Sequence, residues 1–339
     1  MKWGAIGAAL AVIAAGPAAG AKGDAPLFAD DAVIEVTIAG PVNAIARAAQ
    51  NSTEPRPATL SINGETLPIT LAARGVTRRR DCPFPPLMVD FVDKPGDASL
   101  FDKQNRLKLV THCKSAADFD RYVLREYAAY KLYNVLTPES LKVRLANVRY
   151  MDGEREVAHR LGFFIEDIDD LGKRMKGKEL EVVSVSSAAL DPDDAARYSL
   201  FQYMLGNLDW AMTEGPPGSD CCHNSKLIGA TAEARAALTP VPYDFDYSGF
   251  VFPPYATPPD AVPVASVRTR YYRGYCRHND LVRGQAGTVL AARPALESAL
   301  ASIEQLTPKE RDNMRKYLAA FFEDIATPKG VDKVLKTCR

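Results

Sequence analysis

Three short segments of this sequence hold residue types that handle phosphate and metal: Gly206-Asn207-Leu208-Asp209-Trp210, His223-Asn224-Ser225-Lys226-Leu227 and Tyr243-Asp244-Phe245-Asp246-Tyr247-Ser248-Gly249. Each falls where an apolar run ends. An Asp just past a helix, an Asn opening a short strand and an Asp closing the next strand can converge on one cleft. Together they offer hard oxygen ligands for Mg²⁺ and a carboxylate that accepts a proton. Taken singly, Asn and Asp are ordinary turn and capping residues. Three such groups with aromatic residues between them favour a site. Upstream, Glu126 falls on the apolar stripe of a helix, between Val123 and Tyr130, and a carboxylate on a buried face needs a cation. Lys108, on the strand that feeds this helix, is one candidate partner; Arg121, Arg125 and other nearby bases are the alternatives. A Lys oriented by a Glu can set an ammonium on nucleotide phosphates.

These residues need a scaffold, and the pattern around them supplies one. Residues 33–38 and 59–70 alternate apolar and polar side chains around Asn63-Gly64, which reads as strands and a tight turn. Residues 87–91 and 107–110 read as further strands. Ser115 and Asp118 predict the cap of a helix carrying Phe119, Tyr122, Val123, Tyr130 and Tyr133 and ended by Thr137-Pro138. Residues 141–150 and 161–165 read as strands joined at Asp152-Gly153. Asp191-Pro192 then opens a helix that runs to Gly206-Asn207. The last third is helical, with residues 291–303 periodic and Thr307-Pro308 plus Glu310 opening another helix. The order is α+β, strand-rich first and helix-rich later.

Composition narrows the function. The 339 residues include 42 basic and 42 acidic side chains, so no net charge steers the chain to nucleic acid or an anionic membrane. Residues 1–21 read as a cleavable secretory signal: Lys2, an apolar run from Gly4 to Gly16, and the small-x-small site Ala19-Gly20-Ala21. The expectation is an exported, periplasmic or secreted protein with no integral membrane segment after cleavage. Six cysteines in an oxidising compartment allow up to three disulfides and fifteen pairings. A zinc site is disfavoured because no pair has the two-residue spacer and Cys221-Cys222 are adjacent. The sequence contains no G-x-S-x-G elbow, so serine-nucleophile hydrolysis has no support. His112, His159 and His278 have no metal-spaced partners and read as structural or surface groups. Arg268, Arg270 and Arg273, interleaved with Tyr271 and Tyr272, read as packing through the rings.

Across roughly residues 60–280 the chain resembles the spore-coat CotH family and, more distantly, HipA-type atypical kinases. The segments around Asp209, Asn224 and Asp244 carry the resemblance. It implies a two-lobed, atypical protein-kinase-like α+β fold, with a strand-rich N-lobe over 22–165 and a helix-rich C-lobe over 166–339. In that scheme Phe164-Ile165-Glu166 is the hinge. Asp209 is then the catalytic Asp, Asn224 and either Asp244 or Asp246 bind metal, and Lys108 and Glu126 form the nucleotide pair, with Glu166 beside the cofactor. The implied cofactors are ATP and Mg²⁺, and the implied acceptor is a protein or small-molecule hydroxyl. A non-catalytic binding protein and a metal-dependent hydrolase using the same carboxylates are the competing classes. Two departures stand out. Asn224 lies fifteen positions after Asp209, a longer loop than the kinase catalytic loop, and no GxGxxG loop is present; Arg74 and residues 78–80 are the candidate phosphate contacts.

Overall fold

The computed structural model describes residues 25–339, so the signal read over residues 1–21 lies outside the described residues. Seven strands come from the first half: β1 (Ile34–Ala39), β2 (Arg56–Ile62), β3 (Glu65–Ala73), β4 (Leu87–Phe91), β5 (Arg106–Val110), β6 (Val143–Asp152) and β7 (Arg155–Ile165). They close into a barrel in the order β1-β2-β3-β4-β5-β7-β6. All neighbours are antiparallel except β1 and β6, whose parallel pairing seals it. Period-2 alternation sets the inside: Ile34, Val36, Ile38, Leu60, Leu71, Val89, Leu109, Phe164 and Tyr150 fill it. Asn63 and Gly64 both adopt positive φ, 49° and 82°, as the two-residue turn between β2 and β3 requires.

Helices α1 (Val42–Ala48), α2 (Thr77–Asp81) and α3 (Asp120–Leu136) lie within this half. The predicted Ser115/Asp118 cap does not form. A 3₁₀ turn over residues 117–119 precedes α3, and its first residue, Asp120, pairs with Arg160 at 2.7 Å. Beyond the barrel come α4 (Ile168–Arg174), β8 (Lys178–Glu179), α5 (Pro192–Leu205), β9 (Ser225–Gly229), β10 (Thr239–Pro242), α6 (Asn279–Ala291), α7 (Arg293–Ala301), α8 (Pro308–Ile325) and α9 (Pro328–Val334). Strands β10, β9 and β8 form a small separate sheet.

This architecture overturns the expected two-lobed, atypical protein-kinase-like fold. Pairing of β1 with β6 closes the strand-rich part on itself. The outer face of β6 and β7 is then covered by α3, whose Tyr127 and Tyr130 meet Phe163 edge-on. From there one apolar cluster continues through Phe201, Phe245, Leu318 and Phe321 into the C-terminal helices. Barrel and helices thus share buried surface through α3.

Three disulfides form among the described residues: Cys82–Cys113, Cys221–Cys222 and Cys276–Cys338. The first and third close separations of 31 and 62 residues, each stabilising by on the order of 4 kcal/mol in the chain-entropy account. Among the described residues no helix is long and apolar enough to cross a membrane.

Helix α5 matters most for the site because the turn after its C-terminal end carries Asp209. Asp191 caps its start, accepting from the N–H groups of Asp193 and Asp194 at 3.1 and 3.0 Å, with Pro192 in the first turn. Replacing Asp191 with Ala should therefore cost about 1 kcal/mol, read as a small drop in urea midpoint with unchanged m-value.

Candidate functional site

Gly206 ends α5 in the left-handed conformation, φ +59°, and the chain turns at once. Asn207 fixes that turn: its Oδ1 accepts from the Asp209 N–H at 3.0 Å, and its carbonyl accepts from Trp210 Nε1 at 3.0 Å. The long excursion that follows returns because backbone bonds staple it, Ala211 N–H to His223 O and His223 N–H to Glu214 O. The Cys221–Cys222 disulfide lies within the same loop. Asn224 therefore reaches Asp209 despite the separation in sequence, donating from Nδ2 to the Asp209 carbonyl at 2.8 Å and to Oδ2 at 3.0 Å. His223 Nε2 meets Asp209 Oδ1 at 2.6 Å. That hydrogen bond raises the imidazole pKa against the opposing effect of burial.

The 243–246 segment is tied to this group by the Tyr243 N–H, which donates to Asn224 O. Asp244 follows at φ +59°, its N–H donating to the Tyr130 hydroxyl at 2.9 Å. Its carboxylate faces Arg78. This arginine, second in the short helix α2, is buried and fans across three carboxylates: Asp244 at 2.6 Å, Glu126 at 3.0 Å and Asp246 at 3.3 Å. Asp246 also accepts from the Tyr255 hydroxyl at 3.1 Å. Three carboxyls around one guanidinium leave an excess of negative charge. Burial therefore pushes the Asp246 pKa well above the usual carboxylate range and raises Glu126 as well. Burial also opposes ionisation of Asp244, but Arg78, Arg74 and the hydrogen bond from Asp246 outweigh it and keep this carboxyl ionised.

Lys108 and Glu126 do not pair. The register of β5 against β7 sets Lys108 opposite Ile165, and its ammonium lies 4.9 Å from the Tyr243 ring centroid. Among the described residues it has no carboxylate within ion-pair distance. Burial, helped by Arg74 and Lys226, brings its pKa down to about 8. Arg74, at the end of β3, acts electrostatically on Lys108, Glu126 and Asp244 alike, and its Nη1 is buried with no hydrogen-bond partner among the described residues. Lys226 of β9 is satisfied by Glu179 at 2.5 Å.

Of the sequence-predicted residues, Asp209 and Asn224 meet directly, Asp244 and Asp246 meet through Arg78, and Lys108 borders them across Tyr243. Glu166 stands apart as a structural clamp: it pairs with Arg174 at 2.8 Å and accepts from the Lys142 N–H at 3.0 Å, pinning the end of β7 to α4. Sequence reasoning missed Arg78 as the centre of the carboxylate group. The signal was Glu126 itself, a buried acid in need of a cation, but three consecutive arginines do not reveal which one turns inward. In the sequence His223 stands out only as the neighbour of Asn224. Of the 268–273 patch, Tyr272 is buried in the core, while Arg268 and Arg270 lie over Tyr317 and Arg273 over Trp210.

Among the described residues no three His, Cys, Asp or Glu side chains are arranged to hold a metal ion. A cation would rest on Asp244 and the amide oxygen of Asn224, which the bonds to Asp209 leave free, with phosphate oxygens and water completing the shell, as Mg²⁺ accepts. Asp246, buried and bonded to Arg78 and Tyr255, does not fit that role. Arg74 Nη1 and the Lys108 ammonium are cationic groups near Asp244 that have no carboxylate partner among the described residues. No protein-family model matches the chain, and no curated protein matches it in sequence.

Proposed function

We propose that this chain is a phosphotransferase that binds Mg-ATP at Lys108, Arg74 and Asp244 and transfers a phosphoryl group to a hydroxyl of a protein or small molecule. The observation that carries the reading is the juxtaposition of two unpaired cations, Arg74 and Lys108, with ionised Asp244 and the Asp209–His223–Asn224 group. Mg²⁺ on Asp244 and Asn224 would neutralise charge on the phosphate oxygens. Lys108 and Arg74 supply further positive charge there. Asp209 orients the acceptor hydroxyl and takes its proton, and His223 steadies the carboxylate from Oδ1. The acceptor oxygen–phosphorus bond forms as the bond to the bridging oxygen breaks, and that electron pair leaves with the diphosphate. Catalysis is then mainly positioning and electrostatics. The three disulfides support an exported setting for this activity.

The test is calorimetric titration of purified protein with Mg-ATP, followed by transfer of labelled phosphoryl to candidate acceptors. Affinity should fall about tenfold between pH 7 and pH 9, because an ammonium with pKa about 8 is mostly neutral at the higher value. Asp209→Asn should bind as the parent does and lose on the order of 10²-fold or more in transfer. Binding without transfer under all acceptors would reduce the chain to a binding module. Absence of binding would end the phosphotransferase reading.

A further inference from the structure

A cavity of about 880 Å³, within the size range of small-molecule sites, lies apart from the groups just described, lined by α3, α4, the turn after α3 and the segment preceding β5. Six basic and three acidic side chains line it. Each acid already meets a base of the same lining: Asp31 with Lys131 at 2.7 Å, Asp170 with Lys173 at 2.7 Å and Glu166 with Arg174 at 2.8 Å. Lys94 and Lys103, both exposed, have no ion-pair partner among the described residues. The surplus charge is therefore positive and sits on one rim.

The same segment supplies neutral hydrogen-bonding groups. Gln104 is fully buried in the cavity wall, and neither its Oε1 nor its Nε2 has a partner among the described residues. A carboxamide left this way costs about 1–3 kcal/mol, and a ligand able to donate and accept at once would recover that cost. Asn105, next in sequence, lines the cavity from an exposed position, while Phe28 adds an apolar surface. Two ammonium groups, two carboxamides and an apolar edge match one chemistry, an anionic group on a hydroxylated ring whose C–H face can rest on a side-chain ring.

We propose that this cavity binds a small hydroxylated anion, a sugar phosphate or a sugar acid, with Lys94 and Lys103 taking the anionic group and Gln104 and Asn105 the hydroxyls. The site is independent of the phosphotransfer reading.

Isothermal titration of the full chain at pH 7 and low salt with glucose 6-phosphate, glucuronate and inorganic phosphate tests it. At least one of the two sugars should bind with a dissociation constant of about 1 mM or tighter, and inorganic phosphate at least about tenfold more weakly. Preference for the first sugar identifies phosphate as the anionic group, and preference for the second identifies carboxylate. The double variant Lys94→Glu/Lys103→Glu, confined to exposed positions, should weaken binding about tenfold or more, whereas Arg74→Ala should leave it unchanged. Binding of neither sugar, equal binding of inorganic phosphate, or full affinity in the lysine double variant would each overturn the proposal.

Discussion

Replacing Arg78 with Met should destabilise the protein by about 3–5 kcal/mol, because it strands three carboxyl groups in a buried site around a lost cation. In a chain of this size that is a drop in melting temperature on the order of 10 °C. The pH dependence gives the loss a signature. In the parent chain Asp244 is held below its usual pKa, so its contribution is present above the unfolded carboxylate value and is lost as pH falls. Without Arg78 the carboxyls are held above their unfolded values. The variant should then regain more stability than the parent on acidification from pH 7 to pH 5, because Asp244 joins Asp246 and Glu126 among the raised carboxyls. Arg78→Lys, which keeps the charge without the planar fork, should fall between the two. A Met variant as stable as the parent, or one with the parent's pH dependence, would show that Arg78 does not balance this cluster.

Lys108→Met separates function from stability. A buried ammonium with pKa about 8, crowded by Arg74 and Lys226, is charged at a cost. Its folded pKa lies below the unfolded value of 10.5, so the unfolded chain binds more protons between these values and stability rises with pH across that window. The penalty is thus full below about pH 8. An apolar side chain of similar length should remove it, stabilising the fold at pH 7 by on the order of 2 kcal/mol and losing that advantage above pH 10. In the same variant the proposed phosphotransferase function predicts that Mg-ATP affinity falls by roughly tenfold or more, and phosphoryl transfer by on the order of 10²-fold, because the phosphate would lose a desolvated cation. Urea denaturation at pH 7 and pH 10, paired with titration calorimetry, checks both halves. A variant that is destabilised at pH 7 makes Lys108 a structural residue, and one that keeps full nucleotide affinity removes it from the site.

Arg78 and Lys108 also mark the boundary between local and tertiary information. The sequence by itself determined what depends on near neighbours: the tight turn at Asn63-Gly64, α5 between its Asp191 cap and Gly206, the opening of α8 at Thr307-Pro308, and the placement of Asp209, Asn224 and Asp244 at the ends of elements. Such features follow from backbone conformation and side-chain caps within a few residues. Closure of the barrel was not legible, because strand alternation does not specify which edges meet, and the parallel β1–β6 pairing joins strands more than a hundred residues apart. Nor was the arginine at the centre of the carboxylates. In the run 78–80, Arg78 turns inward to Glu126 and Asp244, while Arg79 bonds backbone carbonyls and Arg80 lies exposed against Asp81. Only packing of α2 against α3 and the 243–246 segment makes that choice. Of the fifteen possible cysteine pairing schemes one forms, and in it Cys82–Cys113 and Cys276–Cys338 are likewise chosen by packing of residues distant in sequence. Residue types singled out Asp209, Asn224 and Asp244 as candidates; long-range packing decided which cation serves the buried acids and which ones remain free.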